Sequence, residues 1–299
     1  MCGRYASARK RIELLEEFRI ERDRVAEPLR PDYNVAPTKR VYAVITRDGS
    51  APEPPDAGSQ AESGDAGSGR AGETAPTGVA RELHVVRWGL VPFWAKDPAI
   101  GSRLINARAE TVHAKPAFRH AFKRRRCLIP ADGYYEWQRP EGAGGPKQPY
   151  FITRADSGPL AFAGLYERWR DGSLPEDDER AWLWTATIIT TSAPDDLGRI
   201  HDRMPMVVAP DRWPDWLDPA GTDPADLMPL LAPAASSGLI SYPVSTAVNS
   251  VRNNGPELIE RIQAGSPVPG PARGGSSPGS GPPRSAPSQE ASGSVPRLF

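Results

Sequence analysis

Two stretches of this 299-residue chain cannot enter a packed core, and they fix how much of it is left to fold. Residues 51–80 hold no aromatic residue and a single aliphatic one larger than alanine, Val79. Residues 264–299 are equally rich in Gly, Pro and Ser until the last few positions. Segments of this composition bury too little apolar surface to offset the conformational entropy lost on ordering. The first reads as a disordered insertion in a surface loop, the second as a disordered tail. What remains of residues 2–263 is enough for one sizeable core.

Charge divides in the same way. The whole chain balances 37 Lys and Arg against 37 Asp and Glu, but the insertion takes five acids and one Arg, so the folded part is slightly basic. Between Arg103 and Arg126 stand eight Lys or Arg and one acid, Glu110. Such a run fits a solvated helix face or a phosphate-tracking groove, and charge alone leaves both open. No run approaches the ~18 consecutive apolar residues of a membrane helix, and the first residues lack the apolar segment of a signal peptide. Two cysteines, Cys2 and Cys127, make no disulfide framework. A reducing, cytoplasmic setting is the expectation, and secreted, membrane and fibrous classes are set aside.

The remaining sequence predicts mixed structure. Ser7 is placed to cap a helix over about 8–20 that carries Ile12, Leu15 and Phe18 on its apolar face. β-rich runs follow at Val41–Thr46, Leu83–Trp88, Cys127–Pro130, Tyr134–Trp137, Leu160–Tyr166, Trp182–Thr191 and Met206–Val208. Short helices are expected near 116–123, 194–200, 211–217 and 256–263. Without βαβ alternation, this is an α+β domain with a curved, mainly antiparallel, barrel-like sheet flanked by short helices.

Cys2 is the most informative position. Removal of Met1 leaves an α-amine and a thiol on one residue, and both have a reactive fraction near neutral pH. The amine condenses with an aldehyde to an imine, and the thiol then closes onto the imine carbon to give a five-membered thiazolidine. The bland alternative is an incidental small residue that favours Met removal. Three further segments supply candidate partners. Asn106 and Arg108 stand two apart in Leu104-Ile105-Asn106-Ala107-Arg108-Ala109-Glu110. Glu136 lies between large aromatics in Asp132-Gly133-Tyr134-Tyr135-Glu136-Trp137. It is a carboxylate with a raised pKa suited to proton transfer, or else a strand residue facing solvent or an Arg. His201 precedes Asp202-Arg203-Met204-Pro205 and is a proton carrier or a structural histidine. No metal-ligand spacing, phosphate-binding glycine loop or Ser-His-Asp signature accompanies them.

Taken together, six segments resemble one family. Met1-Cys2-Gly3-Arg4, Tyr33-Asn34-Val35-Ala36-Pro37, Trp88-Gly89-Leu90-Val91-Pro92, the Leu104–Glu110 run, Pro130–Trp137 and His201–Pro205 stand in the order found in the SRAP proteins. These are the SOS-response-associated peptidase-like, abasic-site-processing proteins. The resemblance runs to about residue 263, interrupted at 51–80. It implies binding of single-stranded DNA and a covalent crosslink to the aldehyde of an abasic site, with Cys2 ending as a thiazolidine. It also implies that Asn106 orients the sugar and the Cys2 backbone, that Glu136 shuttles protons, and that His201 donates or accepts a proton at the opened sugar. Strand cleavage by β-elimination and a peptidase activity limited to self-processing come with the same inheritance.

Around that chemistry, Arg4, Arg108 and Arg203 are expected to hold flanking phosphates. Lys123-Arg124-Arg125-Arg126 would extend the track. Trp94, with Phe93, is a platform for a neighbouring base or else a core Trp anchoring its loop. Asn34 is expected to brace the Cys2 loop, and Cys127 to be a small buried residue. The expectation is a monomer without cofactor or metal, associated with the nucleoid when DNA is damaged. Two rival readings are an N-terminal-nucleophile amidohydrolase, in which the α-amine of Cys2 serves as base, and a non-covalent single-strand-binding module.

Overall fold

Alternating apolar residues along five strands decide the architecture, because both faces of those strands are covered. The computed structural model describes residues 2–48, 78–140, 145–175, 177–232 and 238–262. Its strands are β1 (Tyr5–Ser7), β2 (Arg22–Asp23), β3 (Asp32–Val35), β4 (Arg40–Asp48), β5 (Val79–Trp88), β6 (Asn106–Arg108) and β7 (Arg126–Ala131). They continue with β8 (Gly133–Gln138), β9 (Gln148–Arg154), β10 (Leu160–Arg170), β11 (Trp182–Ser192), β12 (Arg203–Pro205) and β13 (Leu239–Pro243). Helices are short, with α1 at Arg11–Glu17 and α2 at Arg119–Arg124.

Strands β5, β4, β7, β10 and β11 are hydrogen-bonded in that order, and β11 returns to β5 through a parallel pairing of Thr185 with Arg87 and Ala186 with Trp88. The result is a closed five-stranded barrel, mainly antiparallel. Residues of one alternation, including Ala43, Ile45, Val86, Cys127, Ile129, Phe162, Ala186 and Ile188, form one buried cluster. The opposite alternation, including Tyr42, Val44, Leu128, Ala163 and Ile189, packs against Leu14, Phe18, Phe122, Trp213 and Trp216.

A second sheet, in the order β13-β9-β8-β1-β3, meets the barrel through Tyr5 and Tyr134. Tyr5 packs edge-on against Trp88 and Phe162 at ring separations of 5.3 and 5.8 Å, and Tyr134 against Phe162 at 6.1 Å. The chain crosses from barrel to second sheet at Asp132-Gly133. A Cβ at Gly133 would lie 2.3 Å from Phe151 Cζ and 2.6 Å from the Ile152 carbonyl, so only glycine fits there.

Several sequence expectations need correction. Helix α1 starts at Arg11, not near residue 8, and Ser7 ends β1 instead of capping it. The helix is only seven residues long and buries Leu14, while Ile12 is exposed. The last expected strand, Met206–Val208, is displaced: β12 is Arg203–Pro205, and Val207 forms a single bridge to Phe162. Strand β5 begins at Val79, inside the stretch read as an insertion, because Val79 and Ala80 continue the ladder opposite Asp48 and Arg47. The rest of that stretch, to residue 77, and the expected tail lie outside the described residues.

The basic run also divides. Arg126 is 4% exposed, and its guanidinium donates to the carbonyls of Phe122, Lys123, Trp216, Asp218 and Gly221. Arg125 pairs with the buried Glu167. Half of the expected phosphate track is therefore structural, and Lys123 and Arg124 are its exposed members. Replacing Arg126 with Met strands five carbonyls, so Arg126→Met is expected to lower stability by ~3–5 kcal/mol in urea unfolding. A variant within about 1 kcal/mol of wild type would show that those carbonyls find other partners.

Candidate active site

The residues before β1 extend its line along β8, since the Tyr135 N–H donates to the Arg4 carbonyl at 3.0 Å. This pairing draws Cys2 alongside Glu136. Cys2 is fully buried, and its carbonyl accepts from Asn106 Nδ2 at 2.7 Å. Asn106 reaches it because β6 runs parallel to β11, with Asn106 opposite Ile188. Asn106 Oδ1 is itself buried and, among the described residues, without a hydrogen-bond partner. Burial, reinforced by the Glu136 carboxylate, pushes the Cys2 thiol well above its ordinary pKa.

Glu136 is 4% exposed, which settles the choice between a buried acid and a solvent-facing strand residue. It shares its strand face with Tyr134, while Tyr135 and Trp137 pack in a cluster on the other side. Burial raises its pKa to about 7, against the pull of the positive charge at the chain's N-terminus. At neutral pH the group is therefore both an acid and a base. Glu136 and His201 line one small cavity of about 10 Å³ with Tyr134, Ile152 and Met204, room for about one water.

His201 stands two residues before the start of β12. The Arg203 backbone N–H donates to its Nδ1 at 3.0 Å, and Asp202 Oδ1 lies 2.8 Å from the same nitrogen. In the neutral ring Nδ1 accepts from Arg203, which leaves the proton on Nε2; in the imidazolium Nδ1–H turns to Asp202. Burial lowers the His201 pKa.

The arginines fare differently. Arg108 is exposed. Arg4 donates to Asn34 Oδ1 at 2.6 Å and to the Val248 carbonyl at 2.8 Å. Asn34, fully buried, spends its amide N–H groups on the carbonyls of Val248, Ser250 and Asn253. It thus braces the Cys2 segment through Arg4, and the 248–253 segment, given no role by the sequence, is what the pair grips. Arg203 makes a two-pronged pair with Glu110, at 2.6 and 3.1 Å, and also donates to the Thr190 carbonyl. Glu110 was visible only as the one acid in a basic run, with nothing to mark it as Arg203's partner.

Trp94 is 50% exposed and Phe93 54%, so neither is a core anchor. They follow a turn at Gly89, where φ is +127° and a Cβ would meet the Gly101 carbonyl oxygen at 2.6 Å. Cys127 is buried, its Sγ against Gly164. Among the described residues no three His, Cys, Asp or Glu side chains are grouped to hold a metal, and no helix is long and apolar enough to cross a membrane.

Comparison with known proteins agrees with this arrangement. Residues 1–251 match the family model described as SOS response associated peptidase (SRAP). The abasic site processing protein YoqW of Bacillus subtilis is 38% identical, over 87% of this chain and 99% of that protein. YedK of Escherichia coli, of the same description, is 31% identical over 88% of this chain and all of its own length. A crystal structure of a Bacteroides thetaiotaomicron protein aligns with 88% of the chain and all of its own, with a TM-score of 0.66 and 26% identity. The chain belongs to the SRAP family.

The raised pKa of Glu136 carries a stability consequence. A carboxyl whose folded pKa exceeds its unfolded value supports the fold fully below about pH 4.5, and that support is lost as pH rises through about 7. The isosteric Glu136→Gln removes the titration. The variant is expected to gain on wild type by ~2–3 kcal/mol between pH 4 and pH 8. Thermal unfolding of both proteins across that range measures it, and parallel curves would contradict the buried acid.

Proposed function

We propose that this protein captures abasic sites in single-stranded DNA, forming a covalent bond between Cys2 and the ring-opened sugar. The observation that carries the reading is the 2.7 Å bond from Asn106 to the Cys2 carbonyl, beside a buried Glu136 with a pKa of about 7. The bond fixes the one residue that, after Met1 removal, bears both amine and thiol. The names of the relatives, abasic site processing proteins, point the same way.

The chemistry balances without an external reagent. The Cys2 amine adds to the sugar aldehyde, and the resulting carbinolamine loses one water to give an imine. Glu136 takes the proton from the ammonium and returns it to the departing hydroxyl. The thiol sulfur then bonds to the imine carbon, its proton passes to nitrogen, and the thiazolidine ring closes. The high thiol pKa favours this order, because the protonated thiol leaves the first attack to the amine. Asn106 Oδ1, buried and unpaired among the described residues, is available to the sugar hydroxyl. His201 exchanges a proton at the opened sugar through Nε2. An imine also acidifies the adjacent sugar carbon, so β-elimination competes until the ring closes; peptidase chemistry is confined to self-processing.

Exposed Arg108, Lys123 and Arg124 are assigned to phosphates, and Trp94 to a neighbouring base. A phosphate that reaches Arg203 competes with Glu110.

Denaturing gel electrophoresis with single-stranded DNA carrying one abasic site tests the reading. Wild type is expected to give a detergent-stable band that requires the lesion and is absent in Cys2→Ala. Cys2→Ser, which keeps the amine without the thiol, should be trapped only by borohydride. A wild-type protein with a confirmed Cys2 N-terminus and no band would overturn the function.

A further inference from the structure

The barrel wall has one open seam. Strand β5 pairs with β4 from Val79 to Arg87, but its other edge meets β2 at Glu82 and Leu83 and β11 at Arg87 and Trp88. Between those points, residues 84–86 have no strand partner on that edge among the described residues. The seam opens into a cavity of about 420 Å³, within the usual size of small-ligand sites. Arg24–Glu27 form one bank and Trp182–Trp184 the other.

Two features of this slot point to an anion joined to a flat ring. Arg40 and Arg87 stand directly opposite each other in the β4–β5 ladder and both line the slot. Like charges in that position destabilise a sheet. The acid among the lining residues, Glu27, lies 3.8 Å from Arg40 with its side chain 81% exposed, and Arg87 has no ion pair among the described residues. The second feature is the aromatic bank. Arg168 lies 4.8 Å over the ring of Trp182 and 5.1 Å over that of Trp184, and His84 and Tyr166 stack on Trp184. The rings are thus held in place on one bank of the same cavity that Arg40 and Arg87 line.

Position connects the slot to the site. Along one edge of β11 come first the slot at residues 182–184, then β5 at 185–186, then β6 with Asn106 opposite Ile188 and Arg108 opposite Thr190. Trp182 precedes Ile188 by six residues, or ~20 Å along the strand, a span of several nucleotides.

We infer that the seam between β5 and β11 is a second nucleotide subsite. It takes a nucleotide of the same DNA strand, a few positions from the lesion, with its phosphate on Arg40 and Arg87 and its base against Trp182. The inference rests on the proposed capture of abasic sites in single strands. The slot would give the protein a strand-length requirement that the residues around Cys2 do not impose.

The test uses fluorescence anisotropy with single-stranded oligonucleotides that carry a tetrahydrofuran abasic analogue, which lacks the aldehyde and binds reversibly. A trimer centred on the analogue is compared with a thirteen-mer, in wild type and in Arg40→Ala/Arg87→Ala. The double variant is expected to bind the thirteen-mer about tenfold more weakly and the trimer equally, with a salt slope shallower by ~0.7 for each phosphate no longer neutralised. Its Tm should equal or exceed that of wild type, because the like-charge pair is gone. If the double variant does not fold, Arg40→Ala alone, at a 58% exposed side chain, carries the comparison with a loss of about threefold. Unchanged affinity and salt slope on the thirteen-mer overturn the slot, as does equally tight binding of free deoxynucleoside monophosphate. Crosslinking to a natural abasic site, run alongside, separates the two readings. Crosslinking with unchanged strand affinity rejects the slot alone, whereas no crosslinking in wild type with weakened strand binding in the variant rejects the function and leaves the slot standing.

Discussion

Two residues of parallel pairing, Thr185 with Arg87 and Ala186 with Trp88, turn a sheet into a barrel, and the placement of the site depends on them. The closure places β5 and β6 one after the other on the same edge of β11. Asn106 is thereby carried to the Cys2 carbonyl, and Arg108 and Ala109 come next along the strand, the latter donating to the Thr190 carbonyl at 2.9 Å. Gly89 lets the chain leave the closure point. Its N–H donates to the Ala186 carbonyl at 2.7 Å, and its positive φ turns the segment bearing Phe93 and Trp94 outward. A side chain there would collide with the Gly101 backbone and displace both the closure and that loop.

At the site, burial raises the pKa of two groups, with a different consequence for each. It holds the Cys2 thiol protonated, and it raises Glu136 into the range where a carboxyl trades protons at neutral pH. Cys2 lies in the same buried cluster as Tyr5 and Tyr134, the residues through which the second sheet meets the barrel. An ionised Glu136 costs the fold stability above neutrality. That cost is the expected mark of an acid retained for chemistry rather than for packing. His201 differs: it is partly exposed, and its Nδ1 partners change with protonation.

The long strands were legible in the sequence because their apolar residues alternate over many positions. Leu160–Tyr166 and Trp182–Thr191 grew at their ends but did not move. The short strands β1, β3 and β6 escaped notice, because three or four residues carry no period of their own and their pairing is decided by partners far along the chain. For the same reason Ser7 looked like a helix cap. At the site, the aromatics around Glu136 made a buried acid one of the alternatives, and its 4% exposure selects it over a solvent-facing residue. Arg126, Arg203 and Arg4 looked like surface charge because the groups that engage them, from Trp216 to Gly221, Glu110, and Asn34 with Val248, are distant in sequence. Three-dimensional closure, which the chain order does not display, brings those partners in.

The central claim is that the amine and thiol of Cys2 close together on the lesion aldehyde. Mass spectrometry of the tryptic peptide from crosslinked protein tests it most directly, since trypsin cuts after Arg4 and leaves Cys2-Gly3-Arg4. The account predicts that this peptide carries the sugar remnant less one water and is unchanged by borohydride, as a closed thiazolidine requires. A remnant on a lysine such as Lys39 or Lys123, or a Cys2 adduct that borohydride reduces, would contradict it.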